Sequence, residues 1–171
     1  SSDMDLFRAQ TIPILDPADW QAGAKDFDSI NMGRLHAVRL ILIAGAQVGD
    51  GAWIKLWAGA TAGTKTTELG FKYRVTGTDL GSASADLFGP TPSSTTGART
   101  TIAAGASGLV FTTSADWNLR TVEIDILSDQ MTDGLEWLTV ESDDGTASSL
   151  FWACVAIGWP RYANDLSLTA L

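Results

Sequence analysis

The sequence predicts an all-β protein: a jelly-roll-like antiparallel β-sandwich with an extended N-terminal arm. Short runs rich in β-branched and aromatic residues follow one another along the chain, and Gly, Asp and Ser residues that favour turns separate them. No segment of useful length shows the 3.6-residue period of an amphipathic helix. A chain of 171 residues suits one domain with a sizeable core.

The chain divides into three expected segments. Residues 1–26 form the extended arm, residues 27–163 the sandwich, and residues 164–171 a C-terminal tail. The arm shows little periodic pattern and contains Pro13 and Pro17, which favour extended backbone at a sheet edge and a short helical turn near residues 16–20. An extended arm of this kind is able to dock on a neighbour.

Eight runs within the sandwich have the length and composition of strands. They cover residues 35–44, 52–59, 66–76, 83–88, 109–113, 119–127, 136–140 and 150–159. The alternation is clearest where Val122 and Ile124 alternate with Glu123 and Asp125, which predicts one core face and one solvent face. The small polar residues and two prolines of residues 89–97 predict a mobile loop.

The last two runs predict a β-hairpin over residues 136–162, because an Asp and Gly turn joins them. The second run is apolar at nearly every position, so both of its faces must be covered. We expect a second sheet on one side and a neighbouring element or subunit on the other. Cys154, the only cysteine, lies in this run and is predicted to be a buried packing residue.

Charge and hydropathy exclude several classes of partner. The chain carries a net charge of −9, and its eleven Lys and Arg residues are scattered, whereas a nucleic-acid surface needs clustered cations. The longest apolar stretch, residues 40–46, is far shorter than the roughly 20 residues that cross a bilayer. We therefore expect neither nucleic acid nor membrane as a partner.

Residues that could carry catalysis are few. With one histidine, His36, and one cysteine, the chain lacks the side chains for a zinc site, and no nucleophile motif lies near the histidine. Glu123 with Asp125, or Glu136 with Glu141, could cleave a glycosidic bond only if two carboxylates faced each other. Each of these residues lies on a predicted solvent face. We expect no catalytic activity, no metal and no cofactor.

The seven tryptophans are not explained by any of the sites considered above. In residues 52–59, Trp53, Lys55 and Trp57 share one strand face, opposite the expected core. Three interpretations remain open: a platform on which sugar rings stack, a subunit interface anchored by aromatic residues, or a surface covered by a loop or by the arm. The candidate interface residues are Trp53, Lys55, Trp57, Trp152, Trp159, Arg161 and Tyr162.

The order of elements after residue 119 resembles that of a known class. A Val/Ile strand with acidic partners leads to an Asp-rich segment ending at Asp133-Gly134, then to a Trp/Val strand, a polar turn and an apolar strand closing on Pro160-Arg161-Tyr162. This layout resembles β-sandwich decoration or cement proteins from the heads of tailed bacteriophages. The resemblance extends over residues 35–163 in general layout and is specific in residues 119–163.

The resemblance implies a structural protein with no catalytic step. Such a protein binds the major capsid protein on the outer surface of the virion, forms a homotrimer and reinforces the shell. A net charge of −9 agrees with a position away from the packaged genome. The rival expectation is a carbohydrate-binding or receptor-binding module that uses exposed tryptophans.

Overall fold

The structure is a computed structural model, and it describes residues 9–19, 23–45, 51–76, 100–106, 108–111, 120–143 and 151–161. Over these residues the chain forms two antiparallel sheets packed face to face, which confirms the predicted sandwich. The predicted strand at residues 83–88, the predicted loop at residues 89–97, Tyr162 and the tail at residues 164–171 lie outside the described part.

Six strands form the first sheet, called sheet A. In spatial order they are β1 (Gln10–Asp19), β12 (Phe151–Pro160), β4 (Leu35–Ala44), β10 (Thr121–Leu127), β7 (Phe71–Thr76) and β8 (Thr100–Ile102). The second sheet, called sheet B, has the path β2 (Lys25–Asp26), β11 (Trp137–Asp143), β5 (Ala52–Gly59) and β6 (Thr67–Leu69). Two short strands extend sheet B: β3 (Ile30–Asn31) pairs with β11, and β9 (Leu109–Phe111) pairs with β5.

The strand order is that of a jelly roll in which β10 is inserted between β4 and β7. Without β10 and the edge strand β8, the path of sheet A reads β1-β12-β4-β7, beside the path β2-β11-β5-β6 of sheet B. Along these eight strands the chain crosses between the sheets after β1, β2, β4, β6, β7 and β11. Described helical structure is limited to two 3-10 turns, Met32–Arg34 and Ser128–Gln130. No helix among the described residues is long and apolar enough to span a bilayer.

The predicted hairpin over residues 136–162 is wrong. β11 pairs with β5 on one side and with β2 and β3 on the other, whereas β12 lies in the opposite sheet between β1 and β4. Both edges of each strand are therefore occupied by other partners. An Asp and Gly turn reports that the chain reverses, but it does not determine which strand supplies the hydrogen bonds.

The single strand predicted at residues 66–76 is two strands in different sheets. β6 pairs with β5 in sheet B, and β7 pairs with β10 and β8 in sheet A. Gly70 lies at the crossing, where an added Cβ would come within 3.0 Å of the Ile102 carbonyl oxygen and 3.1 Å of the Ala104 nitrogen. A residue without a side chain lets the two backbones approach at this corner.

The predicted arm contributes a strand to the sandwich. Residues 10–19 are extended as β1 and pair with β12 of the same chain, so the boundary expected at residue 27 does not separate them from the sandwich. The helical turn expected near residues 16–20 is wrong for residues 16–19, which belong to β1. Two register shifts accompany Pro13 and Pro17, and β1 tolerates both because it lies at the sheet edge.

Alternate residues of the long strands form the core between the sheets. The most deeply buried aliphatic side chains, with 0% exposure, include Leu35, Leu40, Leu42, Ile54, Leu56, Val122, Ile124 and Ile126. Each comes from a position that alternates with a more exposed neighbour, as a period of two requires. Cys154 is buried at 0% exposure, as predicted, and burial raises the pKa of its thiol.

Candidate binding surfaces

The structure separates the predicted interface residues into different regions. Trp53, Lys55 and Trp57 lie together on the outer face of sheet B, as their spacing predicts. Trp152 is 2% exposed and belongs to the core, so it does not share a surface with them. Trp159 is half-buried near the end of β12, and Arg161 follows that strand.

The outer face of sheet B carries what we call the tryptophan face: Trp53, Lys55 and Trp57 on β5, Glu68 on β6 and Glu141 on β11. Lys55 Nζ lies 5.1 Å from the centroid of the Trp53 ring and 4.0 Å from a Glu68 carboxylate oxygen. Trp57 Nε1 donates a hydrogen bond of 2.7 Å to Glu141 Oε2. The polar groups of this face are thus held by one another.

Lys65 extends this network from the loop at residues 60–66. Its Nζ donates to Glu141 Oε1 and to Asp26 Oδ1, each at 2.9 Å. Burial alone lowers the pKa of Lys65, but the hydrogen bonds to these two carboxylates outweigh burial and raise it. Sequence reasoning missed Glu141 and Lys65 as members of this surface. Glu141 lies opposite Lys55 in the register of the two strands, but that register is known only once β5 and β11 are known to pair.

A buried hydrogen-bond network holds the same loop on the sheet. Thr139 points outward from β11 yet has 0% exposure. Its hydroxyl lies 2.8 Å from the Ser29 hydroxyl, which also accepts a 2.9 Å hydrogen bond from the backbone nitrogen of Gly63. The loop therefore covers part of the outer face of sheet B. The tryptophan face is a pre-organised surface in which the side chains already have partners.

The outer face of sheet A has a different character. Side chains of β12 and β4 that point away from the core form what we call the apolar face: Ile41, Ile43, Ala153, Val155 and Ile157. Val155 lies opposite Ile41, and Ala153 lies opposite Ile43, so the residues form a continuous stripe over two neighbouring strands. Ile43 is 48% exposed. In the sequence, this face is indicated by the nearly continuous apolar composition of β4 and β12.

An apolar groove continues the stripe at one end of sheet A. Its volume is about 620 Å³, and its lining includes Pro17, Ile43, Trp152 and Ala153. Trp152, one of the predicted interface residues, borders this groove from the core side. The stripe and the groove together form one apolar area at the β1, β12 and β4 side of the molecule.

Two ion pairs border the apolar face on its β10 side. Arg39 donates to both carboxylate oxygens of Asp125, at 2.7 and 3.2 Å, and Arg74 donates to Glu123 at 2.7 Å. The hydrogen bond to Asp125 raises the pKa of Arg39. Glu123 and Asp125 were the first candidate carboxylate pair for glycoside cleavage. Each is engaged by an arginine across the sheet, which suits a structural role.

The second carboxylate pair is divided between two environments. Glu141 accepts hydrogen bonds within the tryptophan face, whereas Glu136 lines a separate polar pocket of about 180 Å³ with Asp133 and Arg161. Arg161 Nε donates a 2.9 Å hydrogen bond to the Leu35 carbonyl oxygen, which ties the end of β12 to the start of β4. No group of three or more His, Cys, Asp or Glu side chains among the described residues could hold a metal ion.

The chain has no detectable relative in three comparisons. No protein-family model matches it. No curated protein is significantly similar to it. No solved structure matches it.

Proposed function

We propose that this chain is a non-enzymatic structural protein of a tailed-bacteriophage head, which binds the major capsid protein on the outer capsid surface and stabilises the shell. The apolar face carries this proposal. Besides the core between its two sheets, the protein presents a row of aliphatic side chains, including the half-exposed Ile43, on the outside of sheet A. Surfaces of this kind mark sites where proteins associate.

The chemistry of the polar side chains supports a binding role over a catalytic one. Glu123, Asp125 and Glu141 are each held by a cationic partner. Cys154 is buried with a raised pKa, so its thiol is not a nucleophile in the folded protein. The layout of residues 119–163 resembles that of capsid decoration proteins, and this resemblance supplies the expected partner.

A carbohydrate-binding module is the second candidate, and the tryptophan face favours it. Two indole side chains lie on one strand beside two carboxylates, which is a suitable composition for stacking and hydrogen bonding with a sugar. However, the ammonium of Lys55 lies over the Trp53 ring, and Glu141 already accepts from Trp57. A sugar would have to displace these contacts, so the geometry favours this candidate less.

Co-sedimentation with phage heads tests the first proposal. Heads assembled from the major capsid protein encoded in the same genome are incubated with the purified chain and pelleted. We expect saturable binding with a fixed stoichiometry and a higher temperature of head disruption. Absence of binding to heads would reject the proposal.

A glycan array and quenching of tryptophan fluorescence test the second candidate. We expect no sugar response. A response that Trp53→Ala abolishes, in a protein that does not bind heads, would replace the first proposal with the second.

A further inference from the structure

We propose that the apolar face of sheet A packs against the same face of a second copy of this chain, across a two-fold axis. This inference rests on the proposed function only where that function requires self-association. It assigns the apolar face to the second copy, so the capsid protein would bind another surface of the pair. The resemblance implies a trimer, whereas contact between two identical sheet faces closes as a pair, because each copy contributes the same surface.

Electrostatic repulsion between copies is low at this face. The chain has a net charge of −9, so two copies repel each other over most of their surfaces. On β1, β12, β4, β10 and β7 the described charged side chains outside the core are three cations and three carboxylates, which sum to a net charge of zero. They are Asp16, Arg39, Lys72, Arg74, Glu123 and Asp125. Because two ion pairs neutralise four of them, this side of sheet A can approach a second copy with little like-charge repulsion.

The outer side of sheet A that carries this face approaches the area of a stable contact. β1, β12 and β4 have ten residues each and β10 has seven. At about 4.8 Å between strands and about 3.3 Å per residue, these four strands cover roughly 600 Å² before the relief of the side chains is counted. A stable interface buries roughly 800 Å² per partner. Two such faces would pack about 10 Å apart, like the two sheets of a sandwich.

The neighbouring edge of sheet A disfavours the other common route to sheet association. β1 is the edge strand beside β12, and edge-to-edge pairing needs free backbone donors in a regular strand. Pro13 and Pro17 lack such donors, and two register shifts interrupt the strand. Self-association on this side of the molecule therefore proceeds through the face of the sheet.

Analytical ultracentrifugation of the full chain with Ile43→Glu tests this inference. Ile43 is 48% exposed and points away from the core, so the substitution leaves the fold intact and places a charge inside the proposed interface. Val110→Glu is the matched control, since Val110 is another aliphatic residue, is 43% exposed and lies on β9 of sheet B. Circular dichroism and thermal unfolding of each variant verify the fold, and Ile43→Ser provides a second variant without the added charge.

We expect the wild-type chain to sediment at twice its 18.1 kDa mass. We expect Ile43→Glu to raise the dimer dissociation constant by about tenfold or more, Ile43→Ser to raise it less, and Val110→Glu to leave it unchanged. A monomeric wild type, a trimer, or a dimer that Ile43→Glu does not weaken would each overturn the inference.

Binding to heads is measured on the same proteins, so that the two proposals can fail separately. Dimers that do not bind heads would support the proposed pairing and reject the capsid role. Monomers that bind heads would support the capsid role and reject the proposed pairing.

Discussion

The hydrogen bond between Ser29 and Thr139 offers the sharpest test of how the tryptophan face is held in place. The two hydroxyls are 1% and 0% exposed by residue, and the Ser29 oxygen also accepts from the Gly63 backbone nitrogen. The perturbation is a double-mutant cycle composed of Ser29→Ala, Thr139→Val and their combination. The cycle tests whether the Ser29 hydroxyl forms hydrogen bonds both with Thr139 on β11 and with the loop at residues 60–66.

The expected magnitudes follow from what each substitution leaves without a partner. Ser29→Ala removes the partner of the Thr139 hydroxyl and the acceptor of the Gly63 nitrogen, so it should cost about 2–3 kcal/mol of unfolding free energy. Thr139→Val conserves shape and leaves the Ser29 oxygen on the Gly63 nitrogen, so it should cost about 0.5–1.5 kcal/mol. In the double variant both hydroxyls are absent, so neither is left without a partner. Its loss of unfolding free energy should therefore be about 1 kcal/mol smaller than the sum of the two single losses.

Urea denaturation measures the cycle, with the fluorescence of the seven tryptophans as the signal. The slope of free energy against urea should be the same in all four proteins, which verifies that the unfolding transition is unchanged. Additivity of the two single effects within about 0.3 kcal/mol would refute the reasoning. A larger cost for Thr139→Val than for Ser29→Ala would also refute it, because the serine would then not be the shared acceptor.

Three further predictions concern other parts of the sandwich. Gly59→Ala should destabilise the protein by about 1–3 kcal/mol in urea unfolding, because its Cβ would overlap the carbonyl and hydroxyl oxygens of Thr64. Gly63→Ala, where the space is open but φ is +77°, should cost only about 1 kcal/mol, and equal costs would contradict the overlap. Cys154 should resist a thiol reagent at about pH 8 until the protein unfolds, because burial raises the pKa of the thiol; labelling of the folded protein at the rate of the denatured chain would refute this. Lys65→Met should cost about 0.3–1 kcal/mol at neutral pH. Since the pKa of Lys65 is raised in the folded state, this stabilisation should be complete below its ordinary pKa of 10.5 and disappear as the pH rises through the folded value. A difference between wild type and Lys65→Met that persists at the highest pH the fold tolerates would show that the charge is not responsible.

The fold could be predicted from sequence wherever a run determines its own structure. β4 and β5 begin and end where their composition changes, and the alternation of Ile54 and Leu56 with Trp53 and Trp57 identifies the two faces of β5. Strand partners could not be predicted in the same way. β11 pairs with β5, whose paired residues lie 78 to 90 positions earlier in the chain, so the Asp and Gly residues that follow β11 in the sequence contain no information about that pairing.

The candidate surfaces were predictable only to the extent that they lie within one strand. The group Trp53, Lys55 and Trp57 follows from a period of two, but Glu141 and Lys65 join it through a sheet register and a loop position that no local pattern reports. Trp152 was assigned to an interface because of its residue type. Its burial at 2% depends on which face of β12 meets sheet B, and a strand that is apolar at nearly every position does not indicate that face.

Comparison of the two faces explains why association is assigned to sheet A. Covering the tryptophan face would remove Lys55 and Glu141 from water, and their present contacts would have to offset the cost of burying charges. Covering the apolar face removes mainly aliphatic surface from water, at about 25 cal/mol per Å² in favour of association. Even half of the roughly 600 Å² estimated for four strands would contribute on the order of 7 kcal/mol per copy before the entropy of association is subtracted. Placing Glu at Ile43 opposes this term at the most exposed side chain of the apolar face, whereas Glu at Val110 lies on sheet B and does not affect it. Comparison of the two variants therefore distinguishes dimerisation through the apolar face from non-specific association through any exposed aliphatic side chain.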